Sequence, residues 1–302
     1  MPDGDPAQKN TSHLLIFKRR RDSGQDEMLP DYHIHTIMCK HAEGKTADYR
    51  AVAAKRGIPQ ICFTDHIPSP DGYDADYRMD LSQFDVYRSM VTELQDDKSP
   101  EVLFGIEADY YQGCETFLRE WLPAQHFDLI LGSVHYIENW GFDNPADRHV
   151  WDSVDVTATW RKYFELVAEL ADSGLFDAAG HLDLPKKFGH RPSDKALREM
   201  AEPALDRIAE TGMGIELNTS GLRKPVGEIY PSPILVSLAF DRGIPICFGS
   251  DSHRPEDIGR DFDLALELAR EAGYTHYFRI SQGRKRLVPL PETLQATHQQ
   301  PL

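Results

Sequence analysis

Cysteine is scarce in this sequence: four residues in 302, none in a C-x-x-C pair. A chain of this size has no need of disulfide staples, so a disulfide framework is not expected. Cys62 and Cys247 sit inside apolar runs and read as small buried hydrophobes. Cys39 lies two residues before His41 and is read as packing, with a thiolate ligand as the alternative. No uninterrupted apolar run approaches the roughly 20 residues of a membrane span. No secretory signal is visible either. Residues 1–29 are polar, with a basic stretch at 18–21 and only a short apolar run at 14–17. These two absences point to the cytoplasm. Positive charge is also in deficit, 33 Lys and Arg against 49 Asp and Glu, a net charge of −16. Such a chain repels nucleic acid at long range, and neither a nucleic-acid nor a membrane partner is expected. It repels small anions too, unless bound cations reverse the local field.

What is present is a repeat of structure rather than of sequence. Short apolar runs at 29–34, 60–63, 102–106, 129–134, 176–179, 214–217 and 245–248 each end near a polar residue. Amphipathic stretches at 46–55, 81–95, 157–171, 195–211, 233–242 and 262–272 lie between or after them. Gly57, Gly174, Gly212, Gly243 and Gly273 stand where five of these helices should stop. Strand–helix alternation predicts parallel strands joined by helical crossovers. Functional groups gather at the C-terminal strand ends of α/β barrels, and here almost every run ends in one. A closed or nearly closed barrel, at 29–290, is therefore preferred to an open sheet. Residues 1–28 read as a flexible leader and 291–302 as a tail.

The strand ends carry the chemistry. His33 and His35 alternate on the first strand and so present two imidazoles to one space, with His41 six residues later. Asp65-His66, Glu107, His135, His181, Glu216-Leu217-Asn218 and Asp251-Ser252-His253 close the remaining runs. Seven of the thirteen histidines fall there; His13, His126, His149, His190, His276 and His298 do not. Any one histidine at a strand end is ordinarily a hydrogen-bonded structural residue. Seven converging without a metal would lose hydration and compete for protons. Mixed imidazole and carboxylate ligands suit zinc, manganese or iron. Nine candidates, with His33, His35, His41, His66, Glu107, His135, His181, Asp251 and His253 in the set, exceed the needs of one ion.

These residues, in this order, resemble the polymerase-and-histidinol-phosphatase (PHP) family. The resemblance is carried by His33-Ile34-His35, His41, Thr64-Asp65-His66, Gly105-Ile106-Glu107, Ser133-Val134-His135, Gly180-His181 and Ser250-Asp251-Ser252-His253. It implies a distorted (β/α)7 barrel holding two to three divalent transition-metal ions. His33, His35, Glu107 and Asp251 would hold one ion. Glu107, His135 and His181 would hold a second, and His41, His66 and His253 a third. The segments 140–145, 218–225 and 228–232 resemble the branch of the family that hydrolyses L-histidinol phosphate in histidine biosynthesis. The expected chemistry is attack of a metal-bridging hydroxide on a phosphate monoester.

Asp251, His253 and Arg223 are the catalytic candidates, and Arg223 suits a phosphoryl oxygen pair. Lys224 is a second candidate for the phosphate. Trp140 and Phe142 are candidates to close over an imidazole-bearing substrate, with ordinary packing as the alternative. Asp65 either orients an imidazole or caps a turn, and Glu216 and Asn218 either orient a ligand or sit as satisfied core residues. Three rivals stand beside this reading: a nuclease, a metal-dependent amide or lactone hydrolase, and a metal-binding module without catalysis. The acidic balance opposes the first, Glu107 in place of a bridging lysine opposes the second, and the complete ligand set opposes the third.

Overall fold

The computed structural model describes residues 28–294 apart from 71, 73 and 97. Most of the expected leader, with its basic stretch and His13, lies outside the described residues, as do 295–302 with His298. Met28, assigned to the leader, is buried against the core. The order of elements is β1 (Asp31–Ile34), α1 (Thr46–Lys55), β2 (Gln60–Phe63), α2 (Phe84–Thr92), β3 (Glu101–Asp109), α3 (Glu115–Gln125) and β4 (Leu129–Ser133). There follow β5 (Tyr136–Ile137), β6 (Trp140–Gly141), α4 (Val156–Ser173), β7 (Ala178–Ala179), α5 (Asp194–Thr211), β8 (Gly214–Asn218), α6 (Pro233–Asp241), β9 (Ile246–Gly249), α7 (Phe262–Glu271), β10 (His276–Ser281) and β11 (Arg284–Pro289).

All seven expected strands form one parallel sheet in the order β1-β2-β3-β4-β7-β8-β9. Its two ends meet just past β9, where His35 N donates to Ser252 O at 3.0 Å and Ser252 N to His33 O at 3.2 Å. The result is a nearly closed barrel. The Asp31 carboxylate fastens the same seam, accepting from Ser250 N (2.9 Å), Ser250 Oγ (2.5 Å) and Gly259 N (2.7 Å). Burial lifts its pKa to about 6 against the pull of those donors.

A bulge in β1 decides what the barrel holds. Asp31 pairs with Ile61 and Ile34 with Phe63, so two residues, Tyr32 and His33, oppose Cys62 alone. A bulge of this kind re-aims side chains at a strand end. Tyr32 joins Cys62, Leu103, Leu129, Leu131, Ala178 and Cys247 in the lower barrel interior, while His33 begins the polar upper layer.

Three features were not expected from sequence: the helix α3, the short strands β5 and β6, and the hairpin β10–β11. The helix α3 contains Pro123, which reads as a breaker; the helix runs two residues past it and stops at Gln125, before His126 at a φ of 58°. The hairpin β10–β11 turns at Gln282-Gly283, both at positive φ. Its Phe278 and Ile280 plug the bottom of the barrel. The Tyr32 hydroxyl donates to Gln60 Oε1 and accepts from Ile280 N (2.9 Å), while Gln60 Nε2 donates to Ile280 O (2.9 Å).

Replacing Tyr32 with Phe removes a buried hydroxyl and strands the Ile280 N–H. The expected loss is about 1–3 kcal/mol, read as a lower urea midpoint. An unchanged midpoint would show that the floor is held by packing alone.

Candidate metal centre

Alternation along the strands brings one face of each to the barrel top. Glu107 stands at its centre on β3, almost fully buried. Its Oε2 lies 3.3 Å from His33 Nε2, 3.4 Å from His35 Nε2 and 3.0 Å from His66 Nδ1. Its Oε1 lies 2.8 Å from His181 Nε2 and 3.6 Å from His135 Nε2, and accepts from Ser133 Oγ at 2.6 Å. Asp251 Oδ1 is 3.3 Å from His35 Nε2 and 3.9 Å from His33 Nε2. The His41 ring is 4.5 Å from that of His253 and 6.0 Å from that of His66, centre to centre. All nine expected ligands are thus gathered in one place.

The donor set fits divalent cations. Glu107 Oε2, His66 Nδ1 and His253 Nε2 are buried and make no hydrogen bond. Glu107 Oε2 in particular faces three ring nitrogens at 3.0–3.4 Å without one. A shared cation satisfies such a set of acceptors and a hydrogen bond does not. Three ligand atoms lie within 4.8 Å of one another in each of several groups: His33, His35 and Asp251; His33, Glu107 and His181; His35, His66 and Glu107; and His66, Asp109 and His135. A further group joins His35 and His253 to Cys39, so the cysteine read as packing also stands within ligand range.

The imidazoles are held from behind. His41 Nδ1 donates to Cys39 O at 2.7 Å and His253 Nδ1 to Asp251 O at 3.1 Å, which leaves Nε2 of each as the free ligand atom. Fully buried Glu216 accepts from His33 Nδ1 at 2.8 Å through Oε1. Its Oε2 accepts from His181 N at 2.8 Å and Asn218 Nδ2 at 3.1 Å. One carboxylate therefore orients two candidate ligands. Gly249 makes room for it: a Cβ there would lie 1.8 Å from Glu216 Oε1 and 2.7 Å from His33 Cβ. Asp109 plays the same part for His135, and is itself paired with buried Arg78. Asp65 accepts from Thr36 N at 2.9 Å and from His66 N at 2.8 Å, and lies 3.7 Å from His35 Nδ1. His181 and Asp251 take positive φ, 23° and 51°, as residues at functional sites often do. Ser220 Oγ secures Asp251 Oδ2 at 3.0 Å.

A cavity of about 410 Å³ opens over this cluster. Arg223 lines it, its Nη2 donating to Ser250 O at 2.5 Å, with Asp257 and Asp261 within 3.9 Å. Lys224 lines it too, and among the described residues its ammonium has neither hydrogen bond nor ion pair. Burial lowers its pKa. Trp140 and Phe142 do not line the cavity, which corrects their candidacy for substrate contact. Phe142 is buried edge-on to Tyr163 (5.7 Å), and Trp140 packs edge-on to Trp151 (4.9 Å). The β5–β6 strap instead turns Gly141, Asp143 and Asn144 to the cavity. Asp109 and Arg78 were not singled out from sequence. Asp109 stands two residues after Glu107 on one strand, so alternation was the available signal for it.

The model of the PHP domain matches residues 31–220. The chain belongs to the PHP domain family. The Deinococcus radiodurans protein named "Probable histidinol-phosphatase" is 43% identical over 247 residues, 81% of this chain and 94% of that protein. The histidinol-phosphatase of Bacillus subtilis is 27% identical over 265 residues, 78% of this chain and 98% of its own length. Among solved structures, histidinol phosphate phosphatase of Lactococcus lactis, in complex with zinc, L-histidinol and phosphate, shares the fold at a TM-score of 0.69 and 20% identity. That likeness covers 85% of this chain and 98% of the other.

Without metal the cluster is strongly polarised. Burial pushes the Glu107 and Asp251 carboxyls up, but surrounding imidazoles outweigh it and hold both well below the carboxylate range. Burial pushes His135 down, yet Asp109 and Glu107 raise it to about 9. His66 and His253 are lowered, chiefly by burial. The stability that His135 lends the metal-free protein is whole below the ordinary imidazole pKa of roughly 6.5. It is lost as pH rises through about 9. Metal must displace that proton, so affinity should rise with pH over the same window. An NMR titration of the metal-free protein should place His135 near 9, and Asp109→Asn should bring it down. A wild-type value at or below roughly 6.5 would contradict the pairing.

Proposed function

We propose that the chain hydrolyses a phosphate monoester, L-histidinol phosphate, to L-histidinol and phosphate. The observation that carries the reading is the meeting, in one cavity, of a buried imidazole–carboxylate cluster with an unpaired ammonium, Lys224. The 43% identity with a protein named for that reaction supports the choice of ester.

In this reading His33, His35, Asp251 and Glu107 would hold one divalent ion, and His135 and His181 would hold a second together with Glu107. His41, His66 and His253 would hold a third. When bound, such ions supply acidified water at neutral pH and offset the charge of the phosphoryl group. Zinc, manganese and iron all suit the donors. Glu216 and Asp109 keep the His33 and His135 rings in the tautomer that presents Nε2. Lys224 receives a phosphoryl oxygen, its exposed ammonium being free to turn to the ligand. Arg223, anchored on the Ser250 carbonyl, adds a second positive group to the cavity lining. Asp251 faces the His33 and His35 ligand atoms directly and is held in place by Ser220.

The test is phosphate release from L-histidinol phosphate by purified protein supplied with Mn²⁺ or Zn²⁺, beside a panel of other phosphate monoesters. A kcat/KM above about 10⁴ M⁻¹s⁻¹ is expected for the cognate ester. It should vanish with chelator and in Asp251→Ala, while Lys224→Met should raise KM. Turnover of other esters only would reject the substrate, and turnover of none would reject the phosphatase.

A further inference from the structure

Three carboxylates outside the ligand set face the cavity: Asp74, Asp143 and Asp257. Asp74 has both oxygens committed, Oδ1 to the Tyr136 hydroxyl at 2.6 Å and Oδ2 to Arg78 at 2.8 Å. Asp257 lies between Arg260 (2.8 Å) and Arg223 (3.9 Å). Asp143 differs. Its Oδ2 accepts from Lys187 Nζ at 2.9 Å, and its Oδ1 makes no hydrogen bond among the described residues. The side chain keeps 21% of its surface open toward the cavity. Asp143 also stands near enough to His135 and Lys224 for its charge to act on both.

An open carboxylate oxygen in a cavity that takes a phosphate works against binding, because like charges repel across a partly desolvated space. The cost is offset if the ligand brings a cation of its own. We infer that Asp143 Oδ1 receives an ammonium group of the substrate and so selects phosphate monoesters that carry an amine close to the ester oxygen. The inference rests on the phosphatase reading above and deepens it. Lys224 and Asp143 then form a polar pair of clamps, one for each end of a zwitterionic ester. Lys187 holds Asp143 in place and limits its repulsion of the phosphate. No covalent step is involved; the residue acts through binding and orientation.

The experiment compares kcat/KM for L-histidinol phosphate with that for the otherwise identical imidazolylpropyl phosphate, which lacks the amine, using metal-loaded wild type and Asp143→Asn. A charge-assisted hydrogen bond predicts a wild-type preference of about 10- to 100-fold for the amine ester. Asp143→Asn should remove most of that preference, and Asp143→Glu should restore part of it. Metal content, read by mass spectrometry, should match wild type in both variants. Asp143→Ser serves as a second neutral variant should the Asn form fold poorly. A wild type that treats the two esters alike overturns the inference and leaves the phosphatase standing. So does an Asp143→Asn enzyme that loses both activities by the same factor, the result expected if Asp143 only braces Lys187. Release from neither ester overturns the phosphatase reading and this inference together.

Discussion

The Glu107 carboxylate, buried to 1% exposure, faces five imidazoles, three on one oxygen and two on the other. An ionised group removed from water this far is costly unless it is compensated on all sides. Imidazoles alone meet that demand only by holding protons, which crowds positive charge into the same volume. Divalent cations meet it with the rings neutral. Much else in the barrel top follows from this: which ring nitrogen must stay free, which must donate backward, and which strand ends must converge.

The fold supplies those conditions by specific means. The bulge in β1 sends Tyr32 down and His33 up, so one strand serves both the sealed floor and the polar top. The β10–β11 hairpin closes the floor, which leaves the upper end as the open one. The seam between β1 and the turn after β9 places His33, His35 and Asp251 side by side. The two supporting carboxylates differ: Asp109 has Arg78 behind it, whereas among the described residues Glu216 is backed by neutral donors and the His33 ring. The cavity wall then answers the net charge of −16 locally, with Arg223, Lys187 and Lys224 among the residues that line it.

The barrel and the gathering of the candidate ligands at its top were readable because each leaves a short-range mark. Apolar runs alternating with helical patterns place seven strands, and ligand-type residues at their ends place the chemistry. What sequence left open depends on contacts between distant segments. Glu216 could be set on the inner face of β8, but not against His33, which is far away in the chain. The aromatic strap offered Trp140 and Phe142 as substrate contacts. The structure turns both into packing and presents Asp143, because a two-residue strand followed by a turn carries no sustained alternation to say which side chains meet the cavity. The closing hairpin escaped notice because Gln282-Gly283 is a weaker turn signal than Asn-Gly. Pro123 concealed α3 for a similar local reason.

The central claim is that Glu107 joins two halves of one metal centre. Its most direct test is the metal content of Glu107→Ala beside wild type, both purified in excess Mn²⁺ or Zn²⁺ and read by mass spectrometry. The account predicts two or three ions per wild-type chain and loss of at least two in the variant, with the fold retained by circular dichroism. A variant that keeps the full wild-type complement, or a wild type that binds none, would contradict it.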